Sequence, residues 1–411
     1  MKYLTDYETK AAYDAVKKDL PKPQVALTRD DYKVHFKPNK VSHDYSQDYL
    51  TVVAKGDGTI SFYYGYSYNG EHTSLSYSVN EGNWVTTQEE GAQIDINVSS
   101  GDKIRWKGIN KAISVNDDGY AYSYFSSNCE FDVEGNAMSL LYGDDFIDKT
   151  SFQDTSLALG GIFNNCNNLI NAKNLILPAT TLAELCYESM FSNCTSLTEA
   201  PQLPATTLAN QCYSYMFANC TSLTAAPELP ATALTYSCYY GMFNGCTLLT
   251  EAPQLPATTL AEGCYSYMFG NCTSLTAALE LPATTLARSC YSQMFSNCTS
   301  LTTAPELLAT TLAQNCCADM FRGCTSLTTA PELPATRLAD GCYFCMFYGC
   351  SQLNYIKCLA TDISASQCTS GWVTNVAATG TFVRAASMSS WTDGASGIPS
   401  GWEVEPPLTS R

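Results

Sequence analysis

Cysteine has the most versatile chemistry of the residue types in this chain, which contains twenty of them. Fourteen recur as pairs with seven residues between the partners, from Cys186 and Cys194 to Cys342 and Cys350. A zinc site needs clustered Cys and His ligands, and no histidine lies among these pairs. Disulfides between equivalent cysteines would join side chains that point in parallel, which strains the bond. The favoured interpretation is small, buried, reduced thiols, with metal sites and disulfides as weaker alternatives.

The histidines and carboxylates form no recognisable catalytic pattern. His35, His43 and His72 all lie in the first 72 residues and outside any metal or nucleophile motif. The carboxylate pairs Asp117–Asp118 and Asp144–Asp145 occur beside glycine or asparagine, where solvated turn residues are the usual interpretation. The sequence therefore predicts a protein that is not an enzyme and uses no cofactor.

The cysteines belong to a repeat of 26 residues. Seven copies approximate LPATTLAxxCYxxMFxNCTSLTxAPx and begin at Leu177, Leu203, Leu229, Leu255, Leu281, Leu307 and Leu333. A degenerate copy precedes them, and a partial copy follows. Self-similarity at such a period is typical of a solenoid, in which each unit buries its apolar face on its neighbours. The sequence predicts a solenoid over residues 151–370.

Three apolar columns predict the core of this solenoid. The positions of Leu182, Phe191 and Leu197 keep their residue type in all seven copies. The spacing within CYxxMFxNC predicts a short helix or helical turn, and SLTxAP predicts a brief strand that ends at proline. Neighbouring strands are expected to pair in parallel, about 4.8 Å apart.

These features resemble the BspA-like leucine-rich repeat, which reads approximately LPxxLxxIGxxAFxxCxxLxxI. The matching positions in the first regular copy are Leu177, Pro178, Leu182, Phe191, Cys194 and Leu197. The 26-residue period and the additional Cys186–Tyr187 pair depart from the usual pattern. The resemblance implies an α+β chain with a right-handed leucine-rich-repeat-type solenoid, and a surface-exposed adhesion or interaction protein.

The segments that flank the repeats complete a four-part division of the chain. Residues 1–23 predict a short helix that could anchor the chain to another protein. Residues 24–150 alternate between strands and Gly/Asn turns and predict a β-sandwich-like domain. Residues 371–411 predict a C-terminal cap, with its aromatic side chains covering the last unit: Trp372, Phe382, Trp391 and Trp402.

A tyrosine-rich stretch lies within the predicted sandwich and contains Tyr63, Tyr64, Tyr66 and Tyr68. Exposed tyrosine rings can stack on a sugar or a protein partner. Ordinary packing of strand residues is the favoured interpretation of this stretch.

The chain is acidic, with a formal net charge of −17. An acidic surface repels the phosphate backbone, so no nucleic-acid partner is expected. No apolar run approaches the roughly 18 residues of a membrane-spanning helix, so membrane insertion is not expected. The first residues also lack the apolar stretch of a secretory signal.

The residues that vary between copies predict the binding surface. The pairs before the first cysteine of each copy vary freely and are expected to be exposed. A second exposed column is predicted as the candidate binding site, and it consists of Gln202, Glu228, Gln254, Glu280, Glu306 and Glu332. Such an acidic column could attract a cationic partner, although simple solvation is the more usual role.

Three functions fit these features. The N-terminal region resembles structural proteins of phages and prophages of gut Bacteroidales, which favours a virion appendage. Its N-terminal region would bind virion structural proteins, and its repeats would bind a host-surface protein or glycan, with homo-oligomers possible. The missing export signal points the same way and disfavours the second hypothesis, a bacterial cell-surface adhesin. The third is an ice- or mineral-binding array of threonines such as Thr180 and Thr181, although neighbouring strand residues ordinarily point to opposite faces.

Overall fold

The computed structural model describes residues 45–65, 72–89, 91–111, 113, 123–152, 156–277, 279–388 and 391–406. In these residues the fold is rich in strands and turns, and the α-helix is limited to the four residues of α1, Ser139–Tyr142. Short 3-10 turns span Tyr45–Gln47 and Gly143–Asp145. Residues Asp48–Arg411 form one compact unit. The helix predicted for residues 1–23 lies outside the described residues.

Two sheets form the region that precedes the repeats. The six-stranded sheet has the order β4-β3-β6-β1-β8-β9 and contains β1 (Leu50–Ala54), β3 (His72–Val79), β4 (Val85–Thr87), β6 (Lys103–Asn110), β8 (Phe131–Asn136) and β9 (Leu169–Ile176). The three-stranded sheet has the order β5-β2-β7 and contains β2 (Gly58–Tyr63), β5 (Gln93–Val98) and β7 (Tyr124–Ser127).

The two sheets pack on each other through aromatic side chains. Phe62 of β2 contacts Trp106 of β6, with ring centroids 5.2 Å apart, and Phe125 of β7, at 4.6 Å. All three rings are fully buried. They sit on the inward-pointing positions of strands whose alternate residues are more exposed, which is the pattern of a sheet with one buried face.

The repeats begin on this pair of sheets. Strand β9 lies beyond residue 150, and it joins β8 in parallel at the edge of the six-stranded sheet. Phe125 of β7 stacks on Phe163 with centroids 5.0 Å apart, and Phe163 stacks on Phe191 at 5.4 Å. The sheets therefore cover the apolar end of the first copy, and the predicted boundary at residue 150 falls inside a continuous core.

Each copy stacks on the next through columns of equivalent side chains. Consecutive phenylalanine rings lie 5.4–5.8 Å apart with planes within 11° of parallel, along the column Phe163, Phe191, Phe217, Phe243, Phe269, Phe295, Phe321 and Phe347. This is the offset stacking that aromatic quadrupoles favour. The phenylalanine column and the leucine column of Leu197 are fully buried, whereas the leucine column of Leu182 includes partly buried members. The predicted core columns are thus confirmed.

The segment CYxxMFxNC forms linked tight turns, so the predicted helical turn is wrong. Every second amide donates to a carbonyl of the same copy and so closes a turn, as Met190 N does to Tyr187 O at 3.3 Å. The amides between them donate to the next copy, as Phe191 N does to Met216 O at 2.9 Å. In a helix the backbone amide and carbonyl groups bond to each other within the helix. In these turns, part of the hydrogen bonding is made with the neighbouring copy.

Three residues in each regular copy adopt left-handed backbone, at intervals of four residues. In the first regular copy they are Leu185 (φ 57°), Ser189 (φ 52°) and Asn193 (φ 60°). The third site carries only asparagine or glycine across the copies: Asn193, Asn219, Gly245, Asn271, Asn297, Gly323 and Gly349. These residue types accept left-handed backbone at the lowest cost. Asn219 Nδ2 also donates to Asn193 Oδ1 at 2.9 Å, which links two copies.

Parallel pairing between copies is present as isolated bridges. Thr181 pairs with Thr207, and Ala225 pairs with Glu251, each 26 residues along the chain. Both bridges lie close to prolines of the repeat, such as Pro204 and Pro227. Because proline has no amide hydrogen, a ladder cannot continue through it, and this limits the predicted strand to a bridge.

The C-terminal segment continues the stacking without the repeat sequence. Strands β10 (Tyr355–Cys358), β11 (Thr381–Arg384) and β12 (Glu403–Glu405) form a parallel sheet. Trp372 is fully buried, and its ring stacks on Tyr343 at 6.3 Å and on Trp391 at 5.6 Å. Phe382 and Trp402 are buried and Trp391 is half-buried, as expected for a cap.

The left-handed site of Asn219 gives a test of this architecture. Asn219→Ala should lower the free energy of unfolding by about 1–2 kcal/mol, because it removes the bond to Asn193 and places alanine in left-handed backbone. Asn219→Gly should cost about half as much or less, because glycine adopts this backbone readily. The midpoints of urea unfolding compare the two variants. Equal losses would show that the backbone conformation at this site does not limit stability.

Candidate functional site

The cysteine columns form part of the core. All twenty cysteines are free thiols, and all are buried except Cys345, which is half-exposed. The thiols of the second column donate to the phenylalanine carbonyl of the preceding copy at 3.0–3.2 Å, as Cys246 Sγ does to Phe217 O at 3.1 Å. Burial raises the pKa of Cys246 to about 12 and that of Cys238 to about 11. Since the thiolate is the reactive form, these thiols act as packing groups.

The other groups with potential chemistry are dispersed. Across the part of the chain that the structure describes, no three His, Cys, Asp or Glu side chains are grouped to hold a metal ion. Asp144 accepts hydrogen bonds from Lys107 Nζ at 2.8 Å and from Tyr49 Oη at 2.7 Å, and these bonds lower its pKa. His72 begins β3. The remaining histidines and the Asp117–Asp118 pair lie outside the described residues.

The predicted acidic column is exposed in every copy: Gln202, Glu228, Gln254, Glu280, Glu306 and Glu332. At its C-terminal end Glu332 forms an ion pair with Lys357, with Nζ and Oε2 2.8 Å apart. The column therefore presents amides and carboxylates to solvent at regular intervals. Such a surface can hold a cationic partner through long-range attraction, but it provides no enclosed pocket.

One expectation about exposed residues needs correction. In the pairs before the first cysteine, the first residue is exposed, but the second adopts left-handed backbone and is buried in three copies, at Ser237, Gly263 and Gly341. The adjacent threonines Thr180 and Thr181 are both exposed.

The structure also brings together four tyrosines that the sequence analysis did not single out. This tyrosine cluster consists of Tyr215, Tyr236, Tyr240 and Tyr267, from three consecutive copies. The rings of Tyr215 and Tyr240 meet edge to face at 5.2 Å, and those of Tyr240 and Tyr267 lie 5.4 Å apart. Tyr236 is 49% exposed and Tyr215 is 38% exposed. The cluster is the main aromatic surface on the described part of the repeats.

The turns position the rings of the tyrosine cluster. Tyr215 and Tyr267 occupy the second left-handed site of their copies, with φ of 54° and 59°. The copy between them has Gly241 at that site, and a Cβ on this glycine would lie 2.6 Å from Tyr215 Cε1. The absence of a side chain at Gly241 thus provides the space that the Tyr215 ring occupies. Gln293 supports the far end, where its side-chain amide donates to the Tyr267 hydroxyl.

The Tyr240 hydroxyl lies inside the tyrosine cluster. Burial, followed by a side-chain hydrogen bond with Tyr215, raises the pKa of Tyr240. The cluster offers aromatic faces and hydroxyl groups, and the rings of Tyr215, Tyr240 and Tyr267 hold each other in place. Aromatic anchors of this kind carry much of the energy in binding interfaces. In sequence the signal is the additional tyrosine in CYSYMF and CYYGMF, at positions where the other copies have small or polar residues, except for Phe344.

The two described residues of the tyrosine-rich stretch, Tyr63 and Tyr64, differ in burial. Tyr64 is buried, and its hydroxyl bonds Asn110 Oδ1 at 3.0 Å, so it is a core residue. Tyr63 is half-exposed and contacts Tyr124, with ring centroids 5.4 Å apart. Tyr66 and Tyr68 lie outside the described residues. Tyr64 is therefore packed in the core, and Tyr63 packs on its cross-strand partner Tyr124.

No family model, no curated protein and no solved structure matches the chain. None of the helices in the described ranges has the length and apolar character needed to cross a bilayer.

Thiol labelling tests the packing of the cysteines. In the folded chain only Cys345 should react rapidly with Ellman's reagent, and raising the pH from 7 to 9 should accelerate that reaction alone, because the other thiols are buried and covered by the surrounding chain. Guanidinium unfolding should release all the thiols, and Cys345→Ser should remove the rapid phase. Rapid labelling of several thiols in the folded Cys345→Ser variant would contradict the buried columns.

Proposed function

We propose that this chain is a non-enzymatic binding protein whose repeats form a right-handed leucine-rich-repeat-type solenoid of the BspA-like class. The observation that carries the proposal is the contrast between constant buried columns and a variable column. The phenylalanine column and the leucine column of Leu197 keep their residue type, whereas the second left-handed site, which is buried only at Gly241, has six residue types in seven copies: Ser189, Tyr215, Gly241, Tyr267, Gln293, Asp319 and Cys345. A scaffold of constant core and varied surface suits recognition of a partner.

The tyrosine cluster is the proposed anchor of this recognition surface. The rings of Tyr215, Tyr240 and Tyr267 are preordered by mutual contacts, so that a ligand would order few side chains on binding. The exposed Tyr236 and Tyr215 would make the direct contacts. The acidic column would contribute longer-range attraction and would favour neutral or cationic partners.

The proposed setting is a phage virion, where the chain would act as a fibre or capsid appendage for host-surface recognition. Support comes from the resemblance of the N-terminal region to phage structural proteins, since that region would bind other virion proteins. The ligand would be a host-surface protein or glycan, and homo-oligomers would raise avidity. A bacterial cell-surface adhesin of the BspA-like class is the alternative. It would use the same repeats with a different attachment.

Fractionation of a lysate from the producing cells separates these settings. Particles purified on a density gradient should contain the chain in constant ratio to the capsid protein, as measured by mass spectrometry. Recovery with the cell envelope, and none with particles, would favour the adhesin and contradict the virion.

Substitutions in the tyrosine cluster test the binding surface. The double variant Tyr215→Ser, Tyr236→Ser should weaken binding of the purified chain to intact host cells by about tenfold or more, because two aromatic contacts are lost. Leu248→Ser is the matched control, since Leu248 is 49% exposed in the same copy as Tyr236 but lies outside the cluster. The control should bind as the unmodified chain does. Equal binding by the double variant would rule out the cluster as the anchor.

A further inference from the structure

A second surface with the chemistry of a ligand site lies on the outer face of the three-stranded sheet. Along β2, Ile60 and Phe62 are buried, while Thr59, Ser61 and Tyr63 are only partly buried and point outward. The neighbouring strands present exposed residues beside them, and together they form the polar sheet face: Thr59, Ser61, Tyr63, Gln93, Asp95, Asn97, Tyr124 and Ser126.

The strand register places these residues in rows. Thr59 lies opposite Asn97, and Ser61 lies opposite Asp95 on one side and Ser126 on the other. Short side chains in the middle of the face leave an open groove, lined in part by Thr59, Ser61, Asp95, Asn97 and Asn128. A ligand chain could therefore lie across the strands without displacing a side chain.

The polar groups of this face are held in place. Ser61 Oγ donates to Asp95 Oδ1 at 2.6 Å, and Gln93 Nε2 donates to the same oxygen at 2.9 Å. These bonds lower the pKa of Asp95 and keep it ionised at neutral pH. Since both bonds use Oδ1, Oδ2 remains available as an acceptor. The acceptor geometry therefore exists before any ligand arrives.

Two aromatic residues, Tyr63 and Tyr124, lie at one end of the polar sheet face. The rings of Tyr63 and Tyr124 lie 5.4 Å apart with planes at 35°, and Tyr124 is 42% exposed. Tyr63 lies between Gln93 on one side and Tyr124 on the other in the register. An apolar ligand face could thus pack on a ring while its polar edge reaches an amide.

The charge of the polar sheet face selects among ligands. It has one carboxylate and no basic residue among its eight members, so it has no group to neutralise a phosphate, sulfate or uronic acid. A protein interface would need a larger apolar centre than two tyrosine rings provide. A neutral sugar has both an apolar C–H face and many hydroxyls, which match the rings and the amide and carboxylate groups.

From these contacts we infer that the polar sheet face binds a neutral glycan. One pyranose ring of the glycan stacks on Tyr124, and hydroxyl groups of sugars further along the oligosaccharide donate to Asp95 Oδ2 and exchange hydrogen bonds with Asn97, because these residues lie two strands away from Tyr124. This site is separate from the tyrosine cluster and does not depend on the function proposed for the repeats. It gives the chain a second contact of a defined chemical class.

A glycan array probed with the full chain tests the inference. The array presents neutral oligosaccharides of mannose, glucose, galactose and N-acetylglucosamine beside sialylated, sulfated and uronic-acid forms. Binding of at least one neutral oligosaccharide is expected, and titration calorimetry then measures its affinity. Binding to acidic glycans alone, or to none at millimolar concentration, would overturn the assignment.

Variants locate the bound sugar. Tyr124→Ala and Asn97→Ala should each weaken binding by about fivefold to tenfold, whereas Tyr124→Phe should retain most of it because the ring remains. Both residues changed, Tyr124 and Asn97, are exposed, so thermal unfolding should be unaffected. The double variant Tyr215→Ser, Tyr236→Ser should bind the oligosaccharide normally, which distinguishes this site from the tyrosine cluster. Loss of sugar binding in that variant, with none in Asn97→Ala and Tyr124→Ala, would contradict the inference.

Discussion

No copy of the repeat can pair all of its own backbone hydrogen-bonding groups. Within CYxxMFxNC, alternate amides close turns inside the copy, and the others donate to the copy that follows, as Tyr187 N does to Cys212 O at 3.0 Å. Each turn segment therefore needs a neighbour in register, since an unpaired buried amide is costly. The same register places phenylalanine on phenylalanine and thiol against carbonyl, so side-chain packing and backbone bonding reinforce each other. Surface residues can vary from copy to copy because this inner arrangement is constant.

That dependence makes the two ends of the stack the critical places. At the start, Phe125 of the three-stranded sheet takes the position of a preceding phenylalanine, and β9 ties the first copy to the six-stranded sheet. At the end, Trp372 covers Tyr343, and β11 and β12 extend the parallel pairing. The two sheets and the C-terminal segment complete the hydrogen bonding and the core of the repeats at both ends. They belong to the same compact unit as the repeats.

Repetition explains what the sequence could predict. Seven aligned copies separate constant from variable positions, so the buried columns around Phe191 and Leu197 and the exposed column around Glu228 could be identified without a structure. The linked turns could not, because Met190, Phe191 and Cys194 fit the spacing of a helix equally well, and Leu185 and Ser189 give no sign of left-handed backbone. The Asn/Gly alternation at Asn219 and Gly245 was the available signal. The tyrosine cluster is formed by residues about 26 positions apart, so it does not follow from local sequence. The C-terminal strands pair through backbone hydrogen bonds, which the side-chain pattern does not reveal.

The fixed interval between hydrogen-bonding partners also has a genetic consequence. Deletion or duplication of one whole unit at the DNA level joins identical surfaces, so every amide between copies finds an equivalent carbonyl. An insertion of a single codon within CYxxMFxNC would instead shift the alternation between turn-closing and copy-linking amides, and would turn the phenylalanine of that unit out of its column. Unequal recombination between the near-identical units is thus compatible with folding, while small insertions inside them are not. Lineages of this gene should differ in length by multiples of the repeat.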